Sequence, residues 1–221
     1  MTGDERLERP ARPDGRSARR GGVRGPAGGP EAALTGGWSR VPSVQPIRTD
    51  RLVLREPRVD DAGAVFVFRG DPQVQRYNDE PLRTLQETEA FIEYLLAEAA
   101  AGLRRHFALE VGGTVVGLMG LHSWQPRHRR AELGYDIAKE HWGRGYGTEA
   151  GRAVLAFGFT AMRLHRIHAR TIADNDRSVH LLQSLGFTRE GTLRESSLED
   201  DGRFHDSALF GLLRSEWATA G

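Results

Sequence analysis

The stretch His141-Trp142-Gly143-Arg144-Gly145-Tyr146-Gly147-Thr148 sets glycines on alternate positions between two segments of different period. Ahead of it, Ala131, Leu133, Tyr135 and Ile137 alternate with other residues, as in a strand. Behind it, Ala150, Ala153, Val154, Phe157 and Ala161 recur at helical spacing. A glycine-spaced strand-to-helix corner lets backbone approach a ligand closely, and the helix N-terminus offers unpaired N–H groups with partial positive charge. That suits a pyrophosphate, with Arg144 as an added cation, although a plain strand–turn–helix corner shares the pattern. A P-loop would need a lysine in this stretch, and none is present. A dinucleotide fingerprint would need a third glycine where Thr148 stands and an acid well before Asp174.

The surrounding sequence predicts alternating strands and helices. Arg51 to Arg55 reads as a short strand, and Asp60 or Asp61 as the cap of a helix towards Phe68. Thr84-Leu85-Gln86-Glu87 has capping-box spacing ahead of a helical stripe. Phe107, Leu109 and Val111, the pair Gly112-Gly113, and Val115 to Met119 predict a β-hairpin. Arg166 to Ile172 reads as a strand, and Asn175 to Leu185 as a helix stopped by Gly186. Two last strands, around 187–193 and 207–213, flank a charged loop. The sum is a mixed α/β sheet with an antiparallel front half.

Residues 1–46 hold 9 Gly, 6 Pro and 8 Arg with aperiodic apolar residues, a composition expected to be disordered. The tail carries 8 Arg against 5 acids, and residues 47–221 carry 23 basic against 25 acidic side chains. A nucleic-acid partner is therefore not expected. Cysteine is absent, which excludes disulfides, thiol catalysis and Cys-ligated metal. No apolar run reaches the ~18–20 residues of a bilayer span, so a soluble, cytoplasmic protein without membrane contact is expected.

Glu132-Leu133-Gly134-Tyr135-Asp136-Ile137, the turn Trp142 to Ala150, and Asn175-Asp176-Arg177-Ser178 followed by Gly186-Phe187 resemble a GNAT acetyltransferase of the RimJ/RimL-type branch. Thr49 to Arg55 and Arg189 to Arg194 extend the likeness over nearly everything after the tail. The resemblance implies a mainly antiparallel, twisted sheet of about six or seven strands flanked by about four helices, over residues 47–221. It implies acetyl-CoA as acetyl donor, no metal, and a primary amine as acceptor, either a protein N-terminal α-amine or a small molecule. A homodimer is compatible with it. A non-catalytic acyl-CoA-binding module is the alternative.

Carried onto this chain, the pyrophosphate turn comprises Trp142, Gly143, Arg144, Gly145, Tyr146, Gly147 and Thr148. The strand ending at Ile137 would pair with the pantetheine arm and diverge from the next strand to leave a thioester slot. Asn175 and Ser178 match a second cofactor-proximal motif; Asn175 is equally a helix cap. Many relatives place a tyrosine acid seven residues after this Asn; here Leu182 stands there, which leaves Ser178 as the candidate acid. An amine attacks only when neutral, and α-amines have pKa ~8. Glu132, acting through water, is the candidate base, with Glu195 the alternative. The segments 76–80 and 195–201 are expected to shape the amine pocket, the four acids of the second favouring a cationic acceptor. His165 and His168 lie three apart, a spacing that opposes metal binding on a strand, and the other six histidines are scattered.

Overall fold

The computed structural model describes residues 45–199 and 201–219. The expected disordered tail lies outside the described residues apart from Gln45 and Pro46. In chain order the elements are β1 (Ile47–Arg48), β2 (Val53–Arg55), α1 (Ala62–Arg69), α2 (Pro72–Gln75), α3 (Leu85–Ala100), β3 (Arg105–Val111), β4 (Thr114–Gln125), β5 (Arg130–Ile137), α4 (Tyr146–Thr160), β6 (Arg166–Ile172), α5 (Asp176–Ser184), β7 (Thr188–Leu198), β8 (Phe204–Leu213) and α6 (Arg214–Thr219). The strands form one eight-stranded sheet in the order β1-β2-β3-β4-β5-β6-β8-β7. Every neighbouring pair is antiparallel except β5 and β6. The two-residue β1 is the strand that the sequence did not signal.

Alternation along the strands sorts the core into two layers. Phe107, Leu109, Met119, Leu121, Leu133 and Ile167 face α4 and α5, whose Val154, Leu155, Phe159 and Leu182 pack on them. The opposite face carries Ala108, Val115 and Leu118 beneath Val65 and Phe68 of α1 and Ile92 and Leu95 of α3. Burying each large side chain contributes about 1.5–3 kcal/mol. The predicted hairpin and the predicted apolar face of α4 are therefore realised, and Gly112 and Gly113 turn the hairpin at φ 56° and 87°. No helix among the described residues is long and apolar enough to cross a membrane.

Two local expectations change. Thr84 Oγ1 accepts from the amide of Glu87, but the Glu87 carboxylate reaches back one residue further, to the amide of Arg83. The charged loop after Leu193 is mostly strand: β7 continues to Leu198 past a register shift at which Glu195 takes φ 49°. Cross-strand pairing with β8 satisfies this backbone better than a solvated loop would.

Candidate active site

The pairing of β5 with β6 stops after three residues, Arg130 with Arg166, Ala131 with Ile167 and Glu132 with His168. Beyond Glu132 the strands part, and a cavity of about 1110 Å³ opens over the end of β5, the glycine turn and the start of α5. A second cavity, of about 380 Å³, lies on the other side of the split, beneath α1, α3 and the segment after α2. Tyr77, Asn78, Tyr135 and Asp136 line both.

The turn is held open by its backbone. Gly143 and Gly145 sit at φ 71° and 80°, and Gly145 is the left-handed residue just ahead of α4. A Cβ at Gly145 would be strained and would lie 3.2 Å from Arg51 Nη2. Helix geometry leaves the first amides of α4 without intrahelical partners. Arg51 clamps the outside of the turn: Nη1 donates to the Arg144 carbonyl at 2.8 Å and Nε to Glu149 at 2.7 Å. Glu149 also accepts from Thr49 Oγ1 and the Arg51 amide; burial opposes these bonds, yet they hold its carboxyl below the ordinary value. Trp142 donates from Nε1 to the Ile137 carbonyl at 2.8 Å, and the Arg177 guanidinium lies 4.4 Å over its ring.

Of the sequence-predicted residues, Ile137, Trp142, Gly143, Gly145, Tyr146, Gly147, Thr148, Asn175 and Ser178 line the larger cavity. Arg144 does not; its carbonyl is taken by Arg51, and Lys139 and Arg177 bring positive charge to the wall instead. Asn175 caps α5 by accepting from the Ser178 amide at 3.2 Å, and so serves as cap and cavity wall together. These left-handed glycines, unpaired helix amides and wall cations fit an elongated, phosphate-bearing ligand such as acetyl-CoA.

Leu182 is fully buried, so no polar group arrives from its position. A phenol comes instead from β5, because Tyr135 Oη lies 2.6 Å from Ser178 Oγ. Burial, opposed by that hydrogen bond, pushes the phenol up to about 12. The alternating pattern sets Tyr135 on one strand face with Leu133 and Ile137, and the signal for its polar role is only its place in the Gly134-Tyr135-Asp136 run.

The smaller cavity contains Glu132. Its carboxyl is held below the ordinary value chiefly by the His168 ring, whose Nε2 lies 3.6 Å away, against the opposing effect of burial. Glu195 does not line this cavity, and among the described acids of segment 195–201 neither does Glu199 or Asp201; Ser196, Ser197 and Ser207 form that wall. The expected acidic loop is therefore a hydroxyl wall, and Asp200 lies outside the described residues. On the opposite wall the buried Arg69 ties the helices to β5. It donates to Asp136 at 3.0 Å, to Gln75 at 2.9 Å and to Asp79 at 3.1 Å. Asp136 also accepts from Gln75 and Asn78. Sequence reading missed Arg69, Arg51 and the gathering of two of the supposedly scattered histidines, His106 and His122, on one face with His168. Among the described residues no group of three or more His, Asp or Glu side chains is placed to hold a metal.

The model of the acetyltransferase (GNAT) domain matches residues 51–188. An uncharacterized N-acetyltransferase of Bacillus licheniformis, p20, is 33% identical over 178 residues, 79% of this chain and 99% of that protein. The crystal structure of spermidine N-acetyltransferase from Vibrio cholerae in complex with CoA and spermine superposes with a TM-score of 0.70 and 27% identity, covering 77% of this chain and 99% of that one. RimL, the ribosomal L7/L12 α-N-protein acetyltransferase in complex with coenzyme A, shares the fold at a TM-score of 0.72 and 18% identity, over 76% of this chain and 98% of that one.

Proposed function

As the chain belongs to the GNAT acetyltransferase family, we propose that it moves the acetyl group of acetyl-CoA onto a primary amine held in the smaller cavity. The observation that carries this reading is the meeting of the two cavities at Tyr135 and Asp136, where β5 and β6 separate. A thioester entering from the turn side and an amine entering from the other would meet there, and alignment alone supplies a large part of such a rate.

The roles then follow from what each wall offers. The turn and the first amides of α4 bind the pyrophosphate, with Lys139 and Arg177 adding charge. The freed edge of β5 pairs with the pantetheine amides. Ser178 and Tyr135, hydrogen-bonded to each other, form the donor on the cofactor side, and the raised phenol stays protonated throughout the neutral range. Glu132 supplies the negative charge on the acceptor side that draws off the amine's proton, through water or a neighbouring side chain. Arg69, Arg104 and Arg170 around the smaller cavity are matched by Asp79, Glu132 and Asp136. Such a balanced wall does not concentrate a polycation, so the acceptor is a peptide α-amine or a small monoamine.

The test is release of free thiol from acetyl-CoA in the presence of N-terminal peptides, small monoamines and spermidine, with mass spectrometry of the product. Transfer to peptide or monoamine in preference to spermidine supports the reading. Thiol release with none of them would overturn it and favour an acyl-CoA-binding module.

A further inference from the structure

Four strands set His106, His122, Glu132 and His168 side by side on the acceptor face. His122 lies opposite Glu132 across β4 and β5, and Glu132 lies opposite His168 across β5 and β6. The rings of His106 and His122 are parallel, 2° apart in plane with centroids 6.2 Å apart. Both can lie down on the sheet because the neighbouring strand position is glycine. A Cβ on Gly120 would come within 2.8 Å of His106 Cδ2, and one on Gly134 within 2.9 Å of His122 Nε2.

His122 has a second, unusual support. The next residue, Ser123, takes φ 51°, a left-handed conformation disfavoured for a side chain, where the register between β4 and β5 shifts. The strained residue brings its Oγ to 3.0 Å from His122 Nδ1. Nε2 makes no hydrogen bond among the described residues and is not among the buried unpartnered atoms, while the ring lines the smaller cavity. Strain retained beside a ring that faces a cavity points to a task for the ring.

We propose that His122 is the catalytic base on the acceptor side, its Nδ1–H donating to Ser123 Oγ so that the Nε2 lone pair takes the proton of the attacking amine. The inference rests on the transferase reading above and deepens it. As the N–C bond forms, the nitrogen becomes acidic and its proton passes to Nε2. The C–S bond breaks, the sulfur takes the proton held by the Ser178–Tyr135 pair, and His122 returns its proton to solvent as that pair is reprotonated. The products are amide, free thiol and, from an ammonium substrate, one proton. Glu132 is then a positioning residue that stabilises the imidazolium.

The groups facing His122 are Glu132 and Asp79, which favour its charged form, and Arg104 and His168, which disfavour it; His106 stacks behind. Burial is the largest influence and lowers the His122 pKa, leaving the ring free to accept a proton at neutral pH. His106, pushed down to about 3 by burial, stays a neutral backing.

The experiment pairs kinetics with nitrogen NMR on the full chain. With acetyl-CoA and an N-terminal peptide, His122→Gln is expected to lower kcat about 100-fold with KM little changed and to erase the acid limb of the pH profile. Ser123→Gly relieves the strained φ but removes the hydroxyl, so it is expected to melt no lower than wild type while losing activity, a split that a purely structural role would not give. Imidazole ¹⁵N shifts are expected to show His122 neutral with the proton on Nδ1 at pH 7. Full activity with an unchanged profile in His122→Gln, or a proton resting on Nε2 at pH 7, would overturn the proposal. Absence of turnover in wild type would instead refute the transferase reading, with the NMR still deciding the state of His122.

Discussion

Around the larger cavity a glycine-bent backbone turn stands beside the side chains of Lys139, Trp142 and Arg177. Gly143 and Gly145 bend the chain, α4 leaves its first amides open, and β5 parts from β6 beyond Glu132. Around the smaller cavity side chains supply the chemistry: Arg69 bonded to Asp136, Asp79 and Gln75, and the row His106, His122 and Glu132, with His168 beside Glu132. The first wall is made within short stretches of chain, whereas the second joins residues from four strands and the segment after α1. Backbone recognition suits a donor common to a family, and side-chain recognition suits an acceptor that differs among its members. The two walls should also answer differently to pH and to substitution.

The largest difference is expected in acid. The folded pKa of His106, about 3, lies below its unfolded value near 6.5, so its contribution is fully present above pH 6.5 and is lost as pH falls towards 3. The total is about 4–5 kcal/mol, readable as the drop in urea stability between those limits and absent in His106→Asn. An acid slope unchanged by that substitution would remove the smaller cavity's special dependence on charge.

Breaking the buried ion pair comes next. Arg69→Met leaves Asp136 with only Gln75 and Asn78 and is expected to cost about 3 kcal/mol in chemical denaturation. Tyr135, which belongs to both cavities, gives the opposite pH signature. Its folded pKa is raised to about 12 from an ordinary 10, so its contribution is complete below pH 10 and lost between 10 and 12. That is about 2–3 kcal/mol, and Tyr135→Phe should flatten the alkaline limb of a stability–pH curve.

On the wall of the larger cavity the effects are local. Gly145→Ala forces a Cβ into a left-handed residue beside Arg51 and is expected to cost about 1–2 kcal/mol of stability. Coenzyme A affinity should fall about tenfold by calorimetry, which corresponds to about 1.4 kcal/mol. Asn175→Ala removes the α5 cap for about 1 kcal/mol, a shift of a few degrees in the melt.

The same contrast explains what the sequence made legible. The turn, the Asn175 cap, the Gly112-Gly113 hairpin and the strand ending at Ile137 are written in neighbouring residues, so period and turn chemistry suffice to find them. Arg51 escaped because its partners lie 93 and 98 positions away. Arg69 and His122 escaped because a charged residue in a helix and a histidine in a strand announce nothing until register brings Asp136 and Glu132 beside them. The loop expected after Leu193 became strand because β8 offered it hydrogen-bond partners, a tertiary effect with no local sign.

The thermal melt of the full chain against acetyl-CoA, CoA, NADH and ATP tests most directly whether the glycine turn cradles acetyl-CoA. A ligand at a hundred times its Kd stabilises the native state by about 2.7 kcal/mol. The account predicts a rise with acetyl-CoA and with CoA, reduced in Gly145→Ala, and none with NADH or ATP. No shift with either coenzyme, or a shift with NADH or ATP alone, would contradict it.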